Sequence, residues 1–228
     1  MSPLASLIAA STAFVGSHFL LSHPLRAPLV ARMGERPFQG LYSAIALASF
    51  AWIVVAARAL PAEAPLWVTP DWVWPAGAVV MLFASVLLAG SFAGNPALPA
   101  PGAAAAAAQP PRGVFAITRH PMMWSFALWG LVHIAVWPTR AVIMVAAAIV
   151  VLALGGAAGQ DAKKARLMGA DWQSWIRRTG FVPFAGPSPA AAMWPGWRIV
   201  AIGVAIWLAA TWAHLPLGGM AVGVWRSL

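Results

Sequence analysis

The chain has 228 residues, 61% of them hydrophobic and only 8% charged, with a mean hydropathy of +0.79. Long charge-free stretches exclude a soluble globular domain and mark transmembrane helices. The net charge of +9 sits in short loops between apolar spans, a pattern that orients membrane proteins and gives no reason to expect nucleic acid. Cysteine is absent, which removes disulfides, thiolate-held zinc, iron–sulfur clusters and a catalytic thiol.

The first apolar span runs from about Leu4 to Leu21, carries Ser17 and His18, and ends at His23-Pro24. It has no basic n-region and no cleavage signal, so a spanning helix is expected rather than a signal peptide. The loop over 25–39 holds Arg26, Arg32, Glu35 and Arg36, and a second span follows from about Gly40 to Ala57. The next loop is broken by Pro61, Pro65 and Pro70 and carries Trp67, Trp72 and Trp74, as suits a membrane–water interface. A third span, Val73 to about Ala93, stops at Gly94-Asn95-Pro96. Residues 97–112 are mostly Pro, Ala and Gly. The run Ala103–Ala108 is too short for a stable isolated helix, so a flexible linker is expected.

Thr118-Arg-His-Pro121 then opens a fourth span that reaches about Trp137. Proline suits the first position of a helix, which makes Arg119–His120 the turn before it. From His120 to His133 the helix rises about 20 Å and turns about 1300°, leaving these histidines roughly 140° apart around the axis. They cannot share one metal, and each needs a partner from another helix. The fifth span covers Ala141 to about Gly159. A polar segment over 160–195 follows, with Asp161, Lys163, Lys164, Arg166, Arg177 and Arg178. Its first half can be helical, with Trp172 and Trp175 on one face, and it is expected along the bilayer surface as interface anchoring. The sixth span runs from Trp197 to about His214.

The expected fold is therefore all-α, a polytopic transmembrane helix bundle of about six spans in a single domain over 1–228. Loops after the first, third and fifth spans hold eleven Lys and Arg, against three in the others. That asymmetry places both termini on the non-cytoplasmic side and the segment 160–195 on the cytoplasmic side. The spans carry no carboxylate or cation away from their ends, which argues against an ion pump. The intramembrane ionisable groups are histidines in two layers: His18, His23 and His120 near one side, His133 and His214 near the other. Histidines facing a bundle interior can ligate haem iron or another metal. Each also has a plainer role, as a helix-to-helix hydrogen bond, a headgroup contact or, for His120, a capping turn. Depth alone pairs His133 with His214, and His18 or His23 with His120.

The chain resembles the NnrU family of bacterial membrane proteins. The resemblance rests on Gly16-Ser-His-Phe-Leu-Leu-Ser-His-Pro-Leu-Arg26 with Gly34-Glu35 and Gly40-Leu-Tyr-Ser43, on Asn95-Pro96, and on Thr118-Arg-His-Pro121 with Trp129 and His133. A further patch is Gly169-Ala-Asp-Trp-Gln-Ser-Trp175 through Thr179 to Phe181-Val-Pro-Phe184. The family is associated with denitrification, in the expression or maturation of nitrite and nitric oxide reductases. It is similar in turn to 15-cis-zeta-carotene isomerase, a haem b protein with histidine axial ligands. That similarity implies haem b here, with His133 and His18 as the metal ligands. His120, His214, Arg119 and Arg26 are further cofactor-binding candidates, the arginines for the propionates. It also implies a redox or isomerase-like role; no catalytic residue is singled out.

Arg-His-Pro at a helix start, an acidic residue and a Gly-x-x-Trp-x-x-Trp segment also resemble the isoprenylcysteine carboxyl methyltransferases. This alternative implies an S-adenosylmethionine site of Arg119, His120 and Asp161. A third expectation is a non-enzymatic assembly factor whose basic segment meets respiratory reductase components. The partners expected are the lipid bilayer, a hydrophobic small molecule and such components.

Overall fold

The computed structural model describes residues 1–98, 102–218 and 220–227, and among these every regular element is helical. α1 (Pro3–Ser22) starts where Ser2 Oγ accepts the Ala5 N–H at 3.2 Å and Pro3 takes the first position. The short α2 (Arg26–Met33) leads through Gly34, at φ +85°, into α3 (Glu35–Arg58). Glu35 in the first turn of α3 and Arg58 in its last both complement the helix dipole. α4 (Val73–Gly90) is followed by two short helices, α5 (Ala103–Ala108) and α6 (Val114–Ile117). α7 (Pro121–Val136) begins at its proline as expected. Thr139 caps α8 (Arg140–Met168) by accepting the Val142 N–H, and Gly169 turns the chain into α9 (Ala170–Arg178). α10 (Trp197–Gly218) completes the set.

α1, α3, α4, α8 and α10 are each long and apolar enough to cross a membrane. α7, with 16 residues, is a shorter apolar helix that rises about 24 Å, so the fold is roughly consistent with the expected count of about six spans. Their packing is a continuous series: α3 lies on α1, α1 on α8, α8 on α7, α7 on α4, and α4 on α10. α7 is thus central, and small residues let it sit close to its neighbours. A Cβ at Gly130 would lie 2.7 Å from a Val150 methyl and 2.8 Å from the Ala146 carbonyl oxygen of α8. Gly203 does the same for α10 against the Val86 backbone of α4.

Two expectations about the polar end are corrected. Where a flexible linker is expected, Ala103–Ala108 forms α5 and packs on α9, with Ala107 fully buried. Arg178 supplies what an isolated helix lacks. Its Nη2 donates to Ala107 O at 2.6 Å and its Nη1 to Gln109 O at 3.0 Å, closing orphan carbonyls at the helix end. Residues 99–101 of that linker lie outside the described residues. Trp172 and Trp175 are not interface anchors: both are buried in a core with Leu87, Val114, Phe115 and Ile117. The amphipathic α9 turns its tryptophans inward onto the protein. Trp194 and Trp197, by contrast, stay exposed.

Candidate functional site

The five histidines fall into three places. At the polar end, Thr118 to His120 is held by hydrogen bonds to the loop after α9. Arg119 N donates to Gly180 O at 2.9 Å, Thr118 Oγ1 to Phe181 O at 2.7 Å, and Trp124 Nε1 to the same carbonyl at 2.8 Å. This fixes Arg119 and His120 over the part of α8 that continues beyond its apolar stretch. Arg119 donates to Asp161 through Nε at 2.9 Å and Nη2 at 2.7 Å, and His120 Nε2 donates to Asp161 Oδ1 at 2.9 Å. Burial acts to raise the Asp161 pKa. The hydrogen bonds and charges of His120 and Arg119 outweigh it and hold the carboxyl below its ordinary value.

The three residues expected for an S-adenosylmethionine site do come together. Asp161 already takes the Arg119 donors and His120 Nε2, however, and a ligand carboxylate would have to displace it; His120 Nδ1 is buried without a partner among the described residues. Lys164 donates to Pro96 O at 2.9 Å and Leu98 O at 3.2 Å, so the Asn95-Pro96 loop is tied to the same stretch of α8. The cluster fastens four segments of the polar end together.

The second place lies near the other end of the bundle, between α4, α7 and α10. His133 and His214 face each other there, with ring centres 6.1 Å apart and planes inclined by 27°. His133 Nδ1 donates to Trp129 O at 2.7 Å and His214 Nδ1 to Ala210 O at 2.8 Å. A carbonyl can only accept, so Nδ1 carries the proton and Nε2 is left with a free lone pair on both rings. Both line a cavity of about 320 Å3 whose walls are mainly apolar. The Trp129 ring lies 4.1 Å from that of His133, and the Arg226 guanidinium stacks 4.0 Å over Trp74 on the cavity wall. Trp74, Trp129 and Arg226 escaped sequence reasoning as members of a site. Only the pairing by depth foreshadowed them.

Two imidazole nitrogens holding one ion at about 2.0–2.1 Å each would put their ring centres about 6 Å apart. The observed separation fits that span. Among the described residues no group of three His, Asp or Glu side chains converges, so a protein-only zinc site is not formed. A pair of imidazoles suits a metal whose other ligands arrive with it, as in haem.

The third place lies between α1, α3, α7 and α8, around His18 and His23. His18 and His133, the ligand pair the resemblance implies, are not brought together; they line different cavities. His18 Nδ1 donates to Phe14 O, and its ring contacts Phe14 and Tyr42. His23 lies against Gly159. Nor does either expected propionate partner approach the His133–His214 pair. Arg26 is paired with Glu35 at 2.6 Å, and Arg119 with Asp161.

No curated protein and no solved structure matches this chain. The family described as NnrU protein matches residues 6–222, nearly the whole sequence, and the chain belongs to that family.

Proposed function

We propose that this NnrU-family membrane protein binds haem b between α7 and α10, with His133 and His214 as the residues that would hold its iron. The observation that carries the reading is the pair itself: two imidazoles across an apolar cavity, each Nε2 free because each Nδ1 is committed to its own helix. Such second-partner hydrogen bonds fix ring orientation and raise the basicity of the ligating nitrogen. The cavity of about 320 Å3 is at the small end of the usual range of about 300–1,000 Å3 for ligand sites. Met81 and Met220 on its wall are flexible enough to turn aside for a macrocycle. Arg226, beside Trp74 at the rim, replaces Arg26 and Arg119 as the cation for a propionate.

Haem b held there would supply an iron able to change oxidation state and axial ligation, which suits electron-linked sensing or double-bond isomerisation. The surrounding residues orient the imidazoles and exclude water. The role is exercised in the bacterial inner membrane, with both termini outside the cytoplasm, in support of denitrification. The test is the absorption spectrum of protein purified after expression with haem supply. A Soret band is expected, lost in His133→Ala and His214→Ala and kept in His18→Ala. No band in the parent protein, or loss only in His18→Ala, would overturn the assignment.

The convergence of Arg119, His120 and Asp161 supports a second reading, an S-adenosylmethionine-dependent methyltransferase. Calorimetric binding of S-adenosylmethionine that disappears in His120→Ala would favour it over haem. An assembly role is the third: co-purification of a respiratory reductase with no cofactor bound would point there.

A further inference from the structure

The cavity around His18 and His23 has a chemistry of its own, independent of the haem reading. Its wall along α8 is one helical stripe: Ile149, Leu152, Ala153, Gly156, Gln160 and Lys163. These positions recur at three- and four-residue steps, so they share a face, and their chemistry changes steadily from aliphatic to amide to ammonium. Ile149 and Lys163 lie about 21 Å apart along the axis. The cavity volume is about 410 Å3. That lies towards the small end of the usual range of about 300–1,000 Å3 for ligand sites, which favours one hydrocarbon chain over two.

The polar end gathers donors. Lys163 makes no hydrogen bond or ion pair among the described residues, while its neighbour Lys164 is spent on Pro96 and Leu98. Ser22, His23 and Tyr42 line the same cavity. The charges of Arg26 and of its partner Glu35 both reach Lys163 and act in opposite senses, which leaves the Lys163 cation in excess. Phe14 and Phe126 also line the cavity, the latter 42% exposed, so the slot opens sideways onto the lipid-facing surface. Gly156 keeps the middle clear: a Cβ there would meet nothing within 4 Å.

We propose that this slot binds a single-chain amphiphile, its carboxylate or phosphate head at Lys163 and its hydrocarbon chain running along α8 towards Ile149. An anionic head is chosen over a neutral one because the free donor is a cation drawn partly out of water, and pairing offsets that cost.

The experiment uses the full chain in detergent and hexadecanoic acid carrying a photoreactive diazirine near its tail end, with labelled peptides mapped by mass spectrometry. Labelling is expected on 149–153 and around Phe126. Unlabelled hexadecanoate or hexadecyl phosphate should displace it; whichever competes at lower concentration identifies the carboxylate or phosphate source. Hexadecanol and decylubiquinone should compete at least tenfold less well. Lys163→Gln should reduce labelling at least fivefold and Lys163→Arg should keep it, whereas Arg166→Gln, an exposed cation nearby, should leave it unchanged. Gly156→Leu should block it by filling the slot. The proposal is overturned if Lys163→Gln and Gly156→Leu label like the parent protein. It is also overturned if the neutral amphiphiles compete equally, or if label spreads evenly over the lipid-facing helices.

Discussion

Asp161 is gripped by Arg119, whose Nε and Nη2 converge on the one oxygen Oδ2 at 2.9 and 2.7 Å, although the two residues come from different helical segments. Both side chains are largely buried, and His120 adds a third donor. Removing the carboxylate charge leaves Arg119 partly buried without its partner, and such a loss is far costlier than the pair is stabilising. Asp161→Asn should therefore destabilise the fold by about 2 kcal/mol, less than for a fully buried pair because some solvent reaches both groups. Thermal denaturation in detergent checks this, and an unchanged midpoint would show that the cluster does not fasten the polar end.

The same carboxylate gives the stability a pH dependence of known sign. Its folded pKa is depressed by His120 and Arg119 against the opposing effect of burial. The contribution is fully present above the unfolded-state value of about 3.9 and is lost as pH falls through the folded pKa. Melting curves between pH 7 and pH 3 should fall at the acid end in the parent protein. Asp161→Asn should flatten that fall, and an equal fall in both proteins would assign it to other carboxylates.

The spans were legible because charge-free runs of the right length have few alternative readings. Pro121 also marked the start of α7 to the residue, since only a helix start accommodates proline without loss. What could not be read was which surface the polar segment faces. Trp172 and Trp175 share a helix face whether they anchor to lipid or fill a core, and the difference lies in α5 and α6, far away in the chain. Ala103–Ala108 was misjudged for the same reason: its helicity comes from docking on α9, which local propensity does not contain. At the histidines, counting depth along the helices anticipated His133 beside His214 but also paired His18 or His23 with His120, which bonds Asp161 instead; the resemblance pointed to His18, on the far side of α7.

Arg178 gives a local test of the α5 docking. Its guanidinium reaches Ala107 O and Gln109 O, and charged donors at a helix C-terminus contribute through both hydrogen bonds and the dipole. Arg178→Ala should cost about 1–2 kcal/mol locally and free the segment 103–109. Hydrogen exchange of those amides should rise well above that of α7, whose protection should stay as in the parent protein. If exchange over 103–109 does not change, burial of Ala107 alone holds α5.

Gly130 tests the close approach of α7 to α8. A methyl there meets the Ala146 carbonyl oxygen at 2.8 Å as well as a Val150 methyl, and backbone cannot turn aside as a side chain can. Gly130→Ala should push the two helices apart and destabilise by about 1–3 kcal/mol. Gly156→Ala, on the neighbouring helix with open space above it, should be neutral or slightly stabilising through helix propensity. Denaturation midpoints of the two variants, compared side by side, separate packing from propensity.

His214 offers the sharpest discrimination within the haem reading, because exchanging a ligand differs from removing one. Its Nδ1 bond to Ala210 O orients the ring, and methionine can replace an axial imidazole while lacking that anchor. His214→Met should keep a haem band but raise the midpoint potential, since thioether ligation favours the reduced iron. Trp129→Leu should shift the band without abolishing it, because the Trp129 contribution to His133 orientation includes a backbone carbonyl that the substitution leaves in place. Redox titration followed optically reads both. A potential unchanged in His214→Met, with the band intact, would mean that His214 never touches the iron.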